Sequence, residues 1–575
     1  MAKRWMVQPK APADVSQKFP EIDPILRQLL FARGLTTQAA IDAFLKPDYS
    51  RDVHDPFRFH DMHRAVERIA RALQTKERIV IYGDYDADGV CASAVLTETL
   101  TALGANLDVY IPFRETEGYG LNVAAVEELA EQQTSLIMTV DCGTSNAAEV
   151  ARANELGLDV IITDHHDQPP TLPPAYAIVN PELTAETYPY RHLAAAGVAF
   201  KVATALLQHT RYGASLGRSP LPTGWEKWLL DLVAISTVTD MVPLLDENRI
   251  FVRFGLGVLR KTRRLGLREL FATMRTPLER ADEETLAFQL GPRLNAAGRM
   301  NHASTAYRLL VTTDSGEAKQ LATELSQANQ ERQRLTEVIV QEAQAALGKD
   351  PREQLLCARG VAWPVGLLGL VASKLVESHH RPAVVMTESH GRVVGSGRSV
   401  EPFDITAALA ELRDHLDRFG GHPQACGFTL KSSADPTAFT HDLQAYAKQK
   451  LAGADLTKVL RVDADVVLDD INWELVADVE RLAPFGVAAP RPTFVSRGVG
   501  VVWVNTVGKD GQHLRLHVTH ATSEVHKTIG FRFGTWVEQL QPGDAVDLVF
   551  EVGVNEWNGN REIELKIVDL DHART

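Results

Sequence analysis

The sequence predicts a multidomain α/β protein that ends in a small β-barrel. Apolar, strand-like runs alternate with helical stretches from residue 78 to about residue 181, which is typical of a parallel sheet with helical crossovers. Residues 315–347 form one long helical pattern, and a second α/β unit rich in glycine follows it. From about residue 459 onward, short strands recur at near-regular spacing, which favours a barrel.

A chain of 575 residues is long enough for several domains. We expect an N-terminal lead-in (1–65), a first α/β domain (66–314), a long connecting helix (315–350), a smaller α/β domain (351–455) and a C-terminal barrel (456–575).

Composition narrows the class of protein. The sequence has no run of about 18 apolar residues, its N-terminus has no apolar segment typical of a signal peptide, and its four cysteines form no C-x-x-C pair. We therefore expect a cytoplasmic protein without a membrane span, a disulfide framework or a zinc ribbon. The net charge of -14 would argue against nucleic-acid binding, but the local distribution of charge matters more than the total. Residues 249–280 carry nine Arg and Lys against two Glu, which indicates either a solvated helix face or a local binding surface.

Acidic and imidazole side chains follow three of the predicted strands. The first strand ends in "GDYDADG", the third in "TVDCG" and the fourth in "TDHHD". Because parallel strands deliver their carboxyl ends to one edge of the sheet, we expect these side chains to converge there. Asp240, in "STVTDMV", is a further acid in apolar surroundings.

Clustered carboxylates repel one another unless protons or cations neutralise them. These segments contain no arginine, so divalent metals are the simplest solution. Mixed carboxylate and imidazole ligands suit Mn²⁺, with Mg²⁺ also possible, and shared acids suggest two ions about 3.5–4 Å apart, as in phosphoester hydrolysis. The alternative is three ordinary strand-to-helix turns with capping Asp side chains.

Several motifs together resemble a known family. "DYDADG", "VDCG", "TDHH" and "TVTD" are similar to the DHH phosphoesterase superfamily. "EGYGLN", "GPRLNAAGRM", "GSGRSV", "FGGHPQACGF" and "LAPFG" extend the resemblance over nearly the whole chain, to the bacterial single-stranded-DNA-specific exonucleases of the RecJ family. The resemblance implies a parallel-sheet DHH phosphoesterase domain, the long helix, an α/β DHHA1 domain and an OB-fold barrel.

The resemblance also implies roles for individual residues. Metal-binding positions are matched by Asp84, Asp86, Asp88, Asp141, His165 and Asp240, for two Mn²⁺ or Mg²⁺ ions. His166 matches a histidine that faces substrate phosphate, so we expect His166, Asp141 and His165 to take part in catalysis.

Substrate-holding residues are expected in the glycine-dense motifs of the second domain, where exposed backbone N–H groups in loops could form an anion site. Ser396 and Arg398 match the family motif that holds the 5′ end of a strand, and His422 lies in the second glycine motif. Arg293, Asn295 and Arg299 form a further polar cluster, for which capping and loop roles are an alternative. Pro364 replaces a histidine that is usual in the family, so no phosphate contact is predicted there.

These inferences predict a metal-dependent 5′→3′ exonuclease that degrades single-stranded DNA to mononucleotides in recombination and repair. In the barrel, Trp503, Phe531 and Trp557 are candidates for base stacking, although core packing would account for at least one of them. The alternatives are a phosphodiesterase acting on short oligonucleotides or cyclic dinucleotides and a non-catalytic single-strand-binding scaffold. The resemblance further implies work beside a single-strand-binding protein and a helicase, and we expect a monomer.

Overall fold

A computed structural model describes residues 3–348, 351–520, 524–557 and 559–573, without the side chains of Ser16 and Trp557. Contacts divide the chain into two compact units. The first unit contains Met1–Val53, Pro243–Ile250 and Lys458–Thr575, and the second contains His54–Val242 and Phe251–Thr457. Among the described residues, no helix is both long and apolar enough to cross a membrane.

The N-terminal part of the first unit is mostly helical. Its elements are β1 (Arg4–Val7), α1 (Ala13–Lys18), α2 (Pro24–Ala32), α3 (Gln38–Leu45) and α4 (Tyr49–Asp52). Helix α2 begins cleanly because the Asp23 side chain accepts hydrogen bonds from two backbone N–H groups and Pro24 occupies the first helical position.

The second unit opens with the predicted parallel sheet. Its elements are α5 (Met62–Thr75), β2 (Arg78–Tyr82), α6 (Ala87–Ala102), β3 (Asn106–Tyr110), α7 (Val123–Glu131), β4 (Leu136–Val140), α8 (Ala147–Glu155), β5 (Asp159–Thr163) and β6 (Ala177–Val179). The strand order is β3-β2-β4-β5-β6, with every neighbouring pair parallel. Strands β2, β4 and β5 are almost entirely buried, which explains their continuous apolar runs.

A series of helices follows the sheet. They are α9 (Ala195–His209), α10 (Leu230–Thr239), α11 (Asp246–Leu259), α12 (Leu265–Met274), α13 (Glu283–Thr285), α14 (Gly291–Met300), α15 (Ser304–Val311) and α16 (Ser315–Leu347). The motif "GPRLNAAGRM" is helix α14 itself, rather than the expected cluster after a helix, because a π-helical turn at Leu286–Leu290 leads directly into it. Helix α16 confirms the predicted long helix.

The smaller α/β domain completes the second unit. Its elements are β7 (Leu356–Gly360), α17 (Val365–His379), β8 (Ala383–Ser389), β9 (Arg392–Arg398), α18 (Ile405–Glu411), β10 (Leu416–His422), β11 (Ala425–Leu430) and α19 (Pro436–Lys450). The strand order is β10-β11-β9-β8-β7. The expectation of glycine loops was wrong, because both glycine motifs form antiparallel strands. Gly395 is required there because the Phe428 ring fills the space that a side chain would take.

The predicted C-terminal barrel is present in the first unit. Its elements are β12 (Val459–Val462), β13 (Ala464–Asp465), α20 (Trp473–Arg481), β14 (Phe494–Val507), β15 (His513–Thr519), β16 (His526–Gly530), β17 (Ala545–Trp557) and β18 (Asn560–His572). The sheet runs β13-β14-β15-β16-β18-β17, and β14 also pairs with β17, which closes the barrel.

The N-terminal segment packs with this barrel and does not form a separate lead-in. Strand β1 pairs in parallel with β12, and Leu29 and Leu30 share a buried cluster with Leu475, Phe494 and barrel residues. The predicted segment boundaries therefore stay a prediction, since contacts group the chain differently.

Candidate active site

The loop after β2 places three carboxylates around the first turn of α6. Asp86 caps this helix, because its Oδ1 accepts hydrogen bonds from the backbone N–H groups of Asp88 (2.8 Å) and Gly89 (3.1 Å). Gly89 has no room for a side chain, since a Cβ atom would lie 2.7 Å from Cβ of Asp84. The sequence thus brings Asp84, Asp86 and Asp88 together within one tight turn.

Asp88 is also held by hydrogen bonds from helices α9 and α10. Its carboxylate accepts hydrogen bonds from the backbone N–H groups of Ala195 (2.8 Å) and Ala196 (3.0 Å) at the start of α9. The Ser236 hydroxyl on α10 donates a third, of 2.6 Å. Asp88 therefore holds the acidic loop against α9 and α10 as well as offering oxygen atoms to a metal.

The ends of β4 and β5 supply the next group of side chains. Asp141 has a left-handed backbone (φ 63°), and its N–H donates to the Thr163 carbonyl at 3.1 Å. Asp164 accepts hydrogen bonds from the backbone N–H groups of Thr144 (2.9 Å) and His165 (2.8 Å). Asp164 consequently orders the loop that presents the two histidines.

His165 lies at the centre of the acidic cluster. Its Nε2 is 3.0 Å from Oδ1 of Asp141 and 3.6 Å from Oδ2 of Asp88, and its Nδ1 is 3.8 Å from Oδ2 of Asp240. Three groups have ligand atoms that all lie within 4.8 Å of one another, namely Asp84–Asp86–Asp141, Asp88–His165–Asp240 and Asp141–His165–His166. All six predicted metal ligands therefore meet at one edge of the sheet.

The electrostatics of this cluster fit divalent cations. Burial and then repulsion from neighbouring carboxylates raise the pKa values of Asp84, Asp141 and Asp240 well above the ordinary range. Burial lowers the pKa of His165, which favours the neutral imidazole that a metal binds. Oδ1 of Asp84 is buried without a hydrogen-bond partner among the described residues. A cation would satisfy this oxygen atom and remove the repulsion.

His166 lies at the rim of the cluster in a polar network. Its Nδ1 is 2.8 Å from Oδ1 of Asp164 and 3.0 Å from the Tyr119 hydroxyl, which also donates to the Asp141 carbonyl at 2.8 Å. Burial acts most strongly and lowers the pKa of His166, but the hydrogen bond to Asp164 and the charges of Asp164, Asp84 and Asp88 together outweigh it, so the pKa is raised. His166 is therefore the imidazole of the pair that is suited to carry a proton.

Arginines face the acidic loop, although the segments that bear the acids contain none. The Arg114 guanidinium lies 4.8 Å from the centre of the Tyr85 ring, and its charge acts to lower the pKa of Asp84. Arg299 donates from Nη1 to the Gly366 carbonyl at 2.9 Å. Burial, together with the charge of Arg114, lowers the pKa of Arg299 to about 10. A cationic group thus lies beside the metal ligands.

Helix α14 supports the acidic loop as well as supplying Arg299. The Asn295 side chain accepts a 2.7 Å hydrogen bond from the Ala87 N–H at the start of α6, a capping role rather than a substrate contact. Gly298 lets α14 approach the loop, because a Cβ atom would lie 2.5 Å from the Tyr85 carbonyl oxygen. Arg293 donates to the Gln289 carbonyl at 2.7 Å within the preceding turn.

In the smaller α/β domain, Ser396 and Arg398 form a polar pair on β9. Nη1 of Arg398 donates to Oγ of Ser396 at 3.3 Å, and that hydroxyl donates to the Cys426 carbonyl at 3.1 Å. Burial lowers the pKa of Arg398, and the charge of Arg114 acts in the same direction. This effect, together with the charge of Arg398 that acts on Arg299, indicates that the three arginines lie near one another.

His422 ends β10 and is mostly exposed. Its Nδ1 lies 3.6 Å from Oδ2 of Asp167, the residue after His166. The hairpin of β10 and β11 therefore reaches the loop that carries His165 and His166. Pro364 lies at the start of α17, where no side chain caps the helix.

The barrel carries an open groove of about 800 Å³. Trp503 and Phe531 line it and are 37% and 52% exposed. The side chain of Trp557, the third stacking candidate, lies outside the described residues. Two cations in the groove are paired with glutamates: Lys527 Nζ lies 2.6 Å from Glu562, and an Arg515 Nη lies 3.6 Å from Glu564.

Comparison with known proteins agrees with this geometry. Family models match the DHH family N-terminal domain at residues 78–237, the DHHA1 domain at residues 352–449 and the RecJ OB domain at residues 462–569. The single-stranded-DNA-specific exonuclease RecJ of Bacillus subtilis is 40% identical over 98% of this chain and 70% of its own length. The RecJ of Haemophilus influenzae is 31% identical over 95% of each chain.

This chain belongs to the RecJ family. A crystal structure of Thermus thermophilus RecJ in complex with Mn²⁺ superposes with a TM-score of 0.84 at 28% identity, covering 100% of this chain and 80% of that one. A structure of the same protein with Mg²⁺ gives a TM-score of 0.78 at 26% identity, covering 100% and 79%. The RecJ-family match confirms the predicted DHH, DHHA1 and OB-fold architecture, and the metal-bound relatives agree with a donor set that fits divalent ions.

The sequence analysis missed Arg114 and Tyr119, which the structure places beside the acidic loop and His166. Both lie in the loop after β3, where Gly118 and Gly120 have a left-handed φ of 83°. The only available signal was the unusual "GYG" spacing, since neither residue follows a strand end with an acid or a histidine. Their roles depend on the fold of this loop over the edge of the sheet.

Proposed function

We propose that this chain degrades single-stranded DNA from its 5′ end to mononucleotides by metal-dependent phosphodiester hydrolysis, in recombination and repair. One observation carries the proposal: six carboxylate and imidazole ligands converge at the carboxyl edge of the parallel sheet, beside a cleft lined by arginines from two domains. The RecJ relatives, which are named as single-stranded-DNA-specific exonucleases, support the choice of substrate.

The donor geometry divides the metal ligands into two sets. Asp84, Asp86 and Asp141 would hold one divalent ion, and Asp88, His165 and Asp240 would hold a second. When bound, two such ions supply an activated water molecule and neutralise the charge that develops on the phosphate. Mn²⁺ and Mg²⁺ are the ions that we propose, because oxygen donors dominate both sets.

The protein side chains supply orientation and a proton. Burial acts to lower the pKa of His166, but its hydrogen bond to Asp164 raises it, so the ring is charged more readily than an ordinary histidine. We propose that the His166 ring donates a hydrogen bond to a non-bridging phosphate oxygen as negative charge builds there. Tyr119 holds this ring next to Asp141 through its hydroxyl.

The arginines would hold the strand on the other side of the cleft. Arg114 and Arg299 lie by the acidic loop, and Arg398 with Ser396 offers a second anion site in the DHHA1 domain. We propose that Arg398 and Ser396 bind the 5′ end, and that His422 closes this end of the cleft through its proximity to Asp167. Arg293 and Asn295 would act indirectly, by holding α14 and the start of α6.

The barrel would bind a further part of the strand by stacking. Trp503 and Phe531 are exposed in the groove, and base–aromatic stacking contributes about 1–3 kcal/mol per base. The groove cations are already paired with Glu562 and Glu564, so electrostatic attraction there is small. We further propose that the protein is a cytoplasmic monomer and that it works beside a single-strand-binding protein and a helicase. The RecJ relatives support its action on single-stranded DNA.

The deciding experiment uses a single-stranded oligonucleotide labelled at its 3′ end and a matching blunt duplex, each with Mn²⁺ or Mg²⁺. We expect progressive shortening of the single strand from its 5′ end, a spared duplex and complete inhibition by EDTA. Asp141→Asn should abolish cleavage while keeping strand binding, because it removes a shared ligand but no backbone contact. Asp108→Asn, at an exposed ion pair with Arg78 on the same sheet, is the matched control.

Two results would contradict this proposal. Consumption of dinucleotides or cyclic dinucleotides with long strands intact would indicate a short-substrate phosphodiesterase. Tight strand binding without cleavage under any metal would indicate a scaffold.

A further inference from the structure

The basic run noted in the sequence forms an exposed surface that the proposed active site does not use. Residues 251–280 contain only two glutamates. Seven cationic side chains in this range are exposed, namely Arg253, Arg260, Lys261, Arg263, Arg268, Arg275 and Arg280. In the described part of the chain, Lys261, Arg268 and Arg275 form no ion pair with a carboxylate. The folded protein therefore has a surface with a local excess of positive charge, although the net charge of the chain is -14.

A cavity of about 620 Å³ opens beside this surface. Its aromatic wall is formed by Trp225 and Trp228, and the Arg263 guanidinium lies 3.9 Å from the centre of the Trp228 ring. Trp228 is 37% exposed, so part of its ring is accessible to a ligand. A flat ligand could stack on either the indole or the guanidinium.

The floor of the cavity is acidic and rigid. Asp231 accepts hydrogen bonds from the Thr262 hydroxyl (2.7 Å) and from Nε of Arg264 (3.0 Å). Both terminal nitrogens of Arg264 donate to Glu98, so one cation serves two carboxylates. The floor therefore presents carboxylate oxygen atoms, which accept hydrogen bonds from N–H donors, and its cation, Arg264, is already engaged by two carboxylates.

This cavity is separate from the metal centre. Helix α10 carries Asp231 in its first turn and ends next to Asp240, nine residues later, which corresponds to about 13 Å along the helix axis. The cavity and the metal ligands thus lie at opposite ends of one helix.

We infer that this cavity is a second, non-catalytic nucleotide site for single-stranded DNA. The base enters the cavity, stacks against Trp228 and Arg263, and donates its N–H groups to the acidic floor. The phosphate stays outside, on Lys261 and Arg268, because the floor offers acceptor oxygen atoms and a cation that is already paired. The inference rests on the proposed function, since it assigns a further contact to the same substrate.

The charge distribution favours nucleic acid, and a single strand in particular. In the barrel groove Lys527 and Arg515 are already paired with glutamates, whereas Lys261 and Arg268 are available to phosphate. Stacked bases in a duplex do not offer a face to Trp228, whereas a single strand does. An acidic peptide would meet the same cations, but its carboxylates would be repelled by Asp231 and Glu98 at the floor.

The test measures binding of a fluorescent single-stranded oligonucleotide in EDTA, which prevents cleavage. Trp228→Ala should weaken binding by about 5-fold or more, because stacking on this ring is lost. Lys261→Glu and Arg268→Glu should each reduce the slope of log Kd against log salt concentration by about 0.7, because each removes one phosphate contact. Arg268→Glu alters an exposed side chain, so it remains informative if Trp228→Ala does not fold.

Trp473→Ala is the matched control, because Trp473 is also exposed and also lies under an arginine, Arg561 at 5.5 Å, but does not line the cavity. It should bind the strand as the unmodified protein does. Equal strand affinity for Trp228→Ala and Trp473→Ala, with an unchanged salt slope for Arg268→Glu, would overturn the inference. The inference would also be overturned if the cavity variants lost binding to a fluorescent polyglutamate peptide while their strand binding stayed intact. That result would indicate a protein-docking site.

The two proposals fail separately. If all variants cleave the single strand and bind it with unaltered affinity, the exonuclease proposal is supported and the second site is contradicted. Strand binding that depends on Trp228 in a protein that never cleaves would leave the second site standing and remove the exonuclease.

Discussion

Tyr119 is the residue whose function depends most on its surroundings. It is 47% exposed, lies between two glycines of left-handed backbone, and bridges the Asp141 carbonyl and the His166 ring. A half-exposed side chain whose hydroxyl contacts two residues of the active site has little reason to stabilise the fold. It is better explained as a positioning residue that fixes the His166 ring over the cleft.

Tyr119→Phe should therefore lower kcat by about 3- to 10-fold, the equivalent of one net hydrogen bond. Mn²⁺ affinity and single-strand Kd should stay unchanged, because no ligand or cation is removed. Tyr307→Phe is the control, since it loses a comparable hydroxyl contact, 3.1 Å to Thr97, between α15 and α6. A fall in thermal stability without a fall in kcat would show that Tyr119 is merely structural.

The sequence predicts the ligands of this site better than it predicts their supports. Asp84, Asp141 and His165 follow strand ends, so a parallel topology suffices to bring them together. The helix-capping role of Asn295 and the bridge made by Tyr119 depend on contacts between residues far apart in the chain, such as 208 positions for Asn295 and Ala87. Periodicity carries no signal for such contacts.

At the scale of elements, α14 determines how closely the two halves of the active site approach. Gly298 faces the Tyr85 carbonyl, and Gly366 at the start of α17 lies against Arg299 on the opposite side. The helix is thus packed between the acidic loop and the DHHA1 domain, with no space for an added methyl group at either contact.

Gly298→Ala should displace the acidic loop and weaken Mn²⁺ binding by about 5-fold or more, because overpacking costs about 1–3 kcal/mol. Gly257→Ala on α11 is the control: a Cβ atom there meets nothing within 4 Å, so it should leave Mn²⁺ affinity unchanged and slightly raise stability. Titration of Mn²⁺ by calorimetry distinguishes the two. Equal Mn²⁺ affinity for both variants would contradict the role given to Gly298.

Elements were predicted well where the pattern is local. The buried parallel strands and the 33-residue helix α16 have strong periodic signals. The glycine motifs were taken for loops because glycine usually marks turns, whereas here it makes room for Phe428 within a sheet. The pairing of β1 with β12 joins residues 455 positions apart, and no local pattern indicates it.

At the scale of the whole molecule, the distribution of charge matters more than its sum. The chain has a net charge of -14, yet its cations are concentrated along residues 249–280 and in the active-site cleft. The acids are concentrated in turn at the metal centre, where burial makes their charge costly. The free energy of unfolding should therefore depend on both pH and metal.

Without metal, the acidic centre should destabilise the fold as pH rises. Burial and repulsion raise the pKa values of Asp84, Asp141 and Asp240 above the ordinary 3.8. A group whose pKa is raised in the folded state contributes stability that is full below its unfolded pKa and is lost as pH rises through its folded pKa. Burial raises the pKa of Asp88 as well, so His165, whose pKa is lowered and which acts in the opposite direction, is one group against four.

We expect the Tm of the EDTA-treated protein to fall between about pH 5 and about pH 8, and Mn²⁺ to restore more stability at the higher pH. Asp141→Asn removes one titrating carboxylate, so its metal-free Tm should fall less, by about 1–2 °C for each unit of pKa shift that is removed. Mn²⁺ binding should also release protons, which calorimetry in two buffers of different ionisation enthalpy detects. A metal-free Tm that does not change with pH, with no proton release, would mean that these carboxylates are already neutralised by the protein itself. The cluster would then be a hydrogen-bonded structural network, and the assignment of two divalent ions would have to be abandoned.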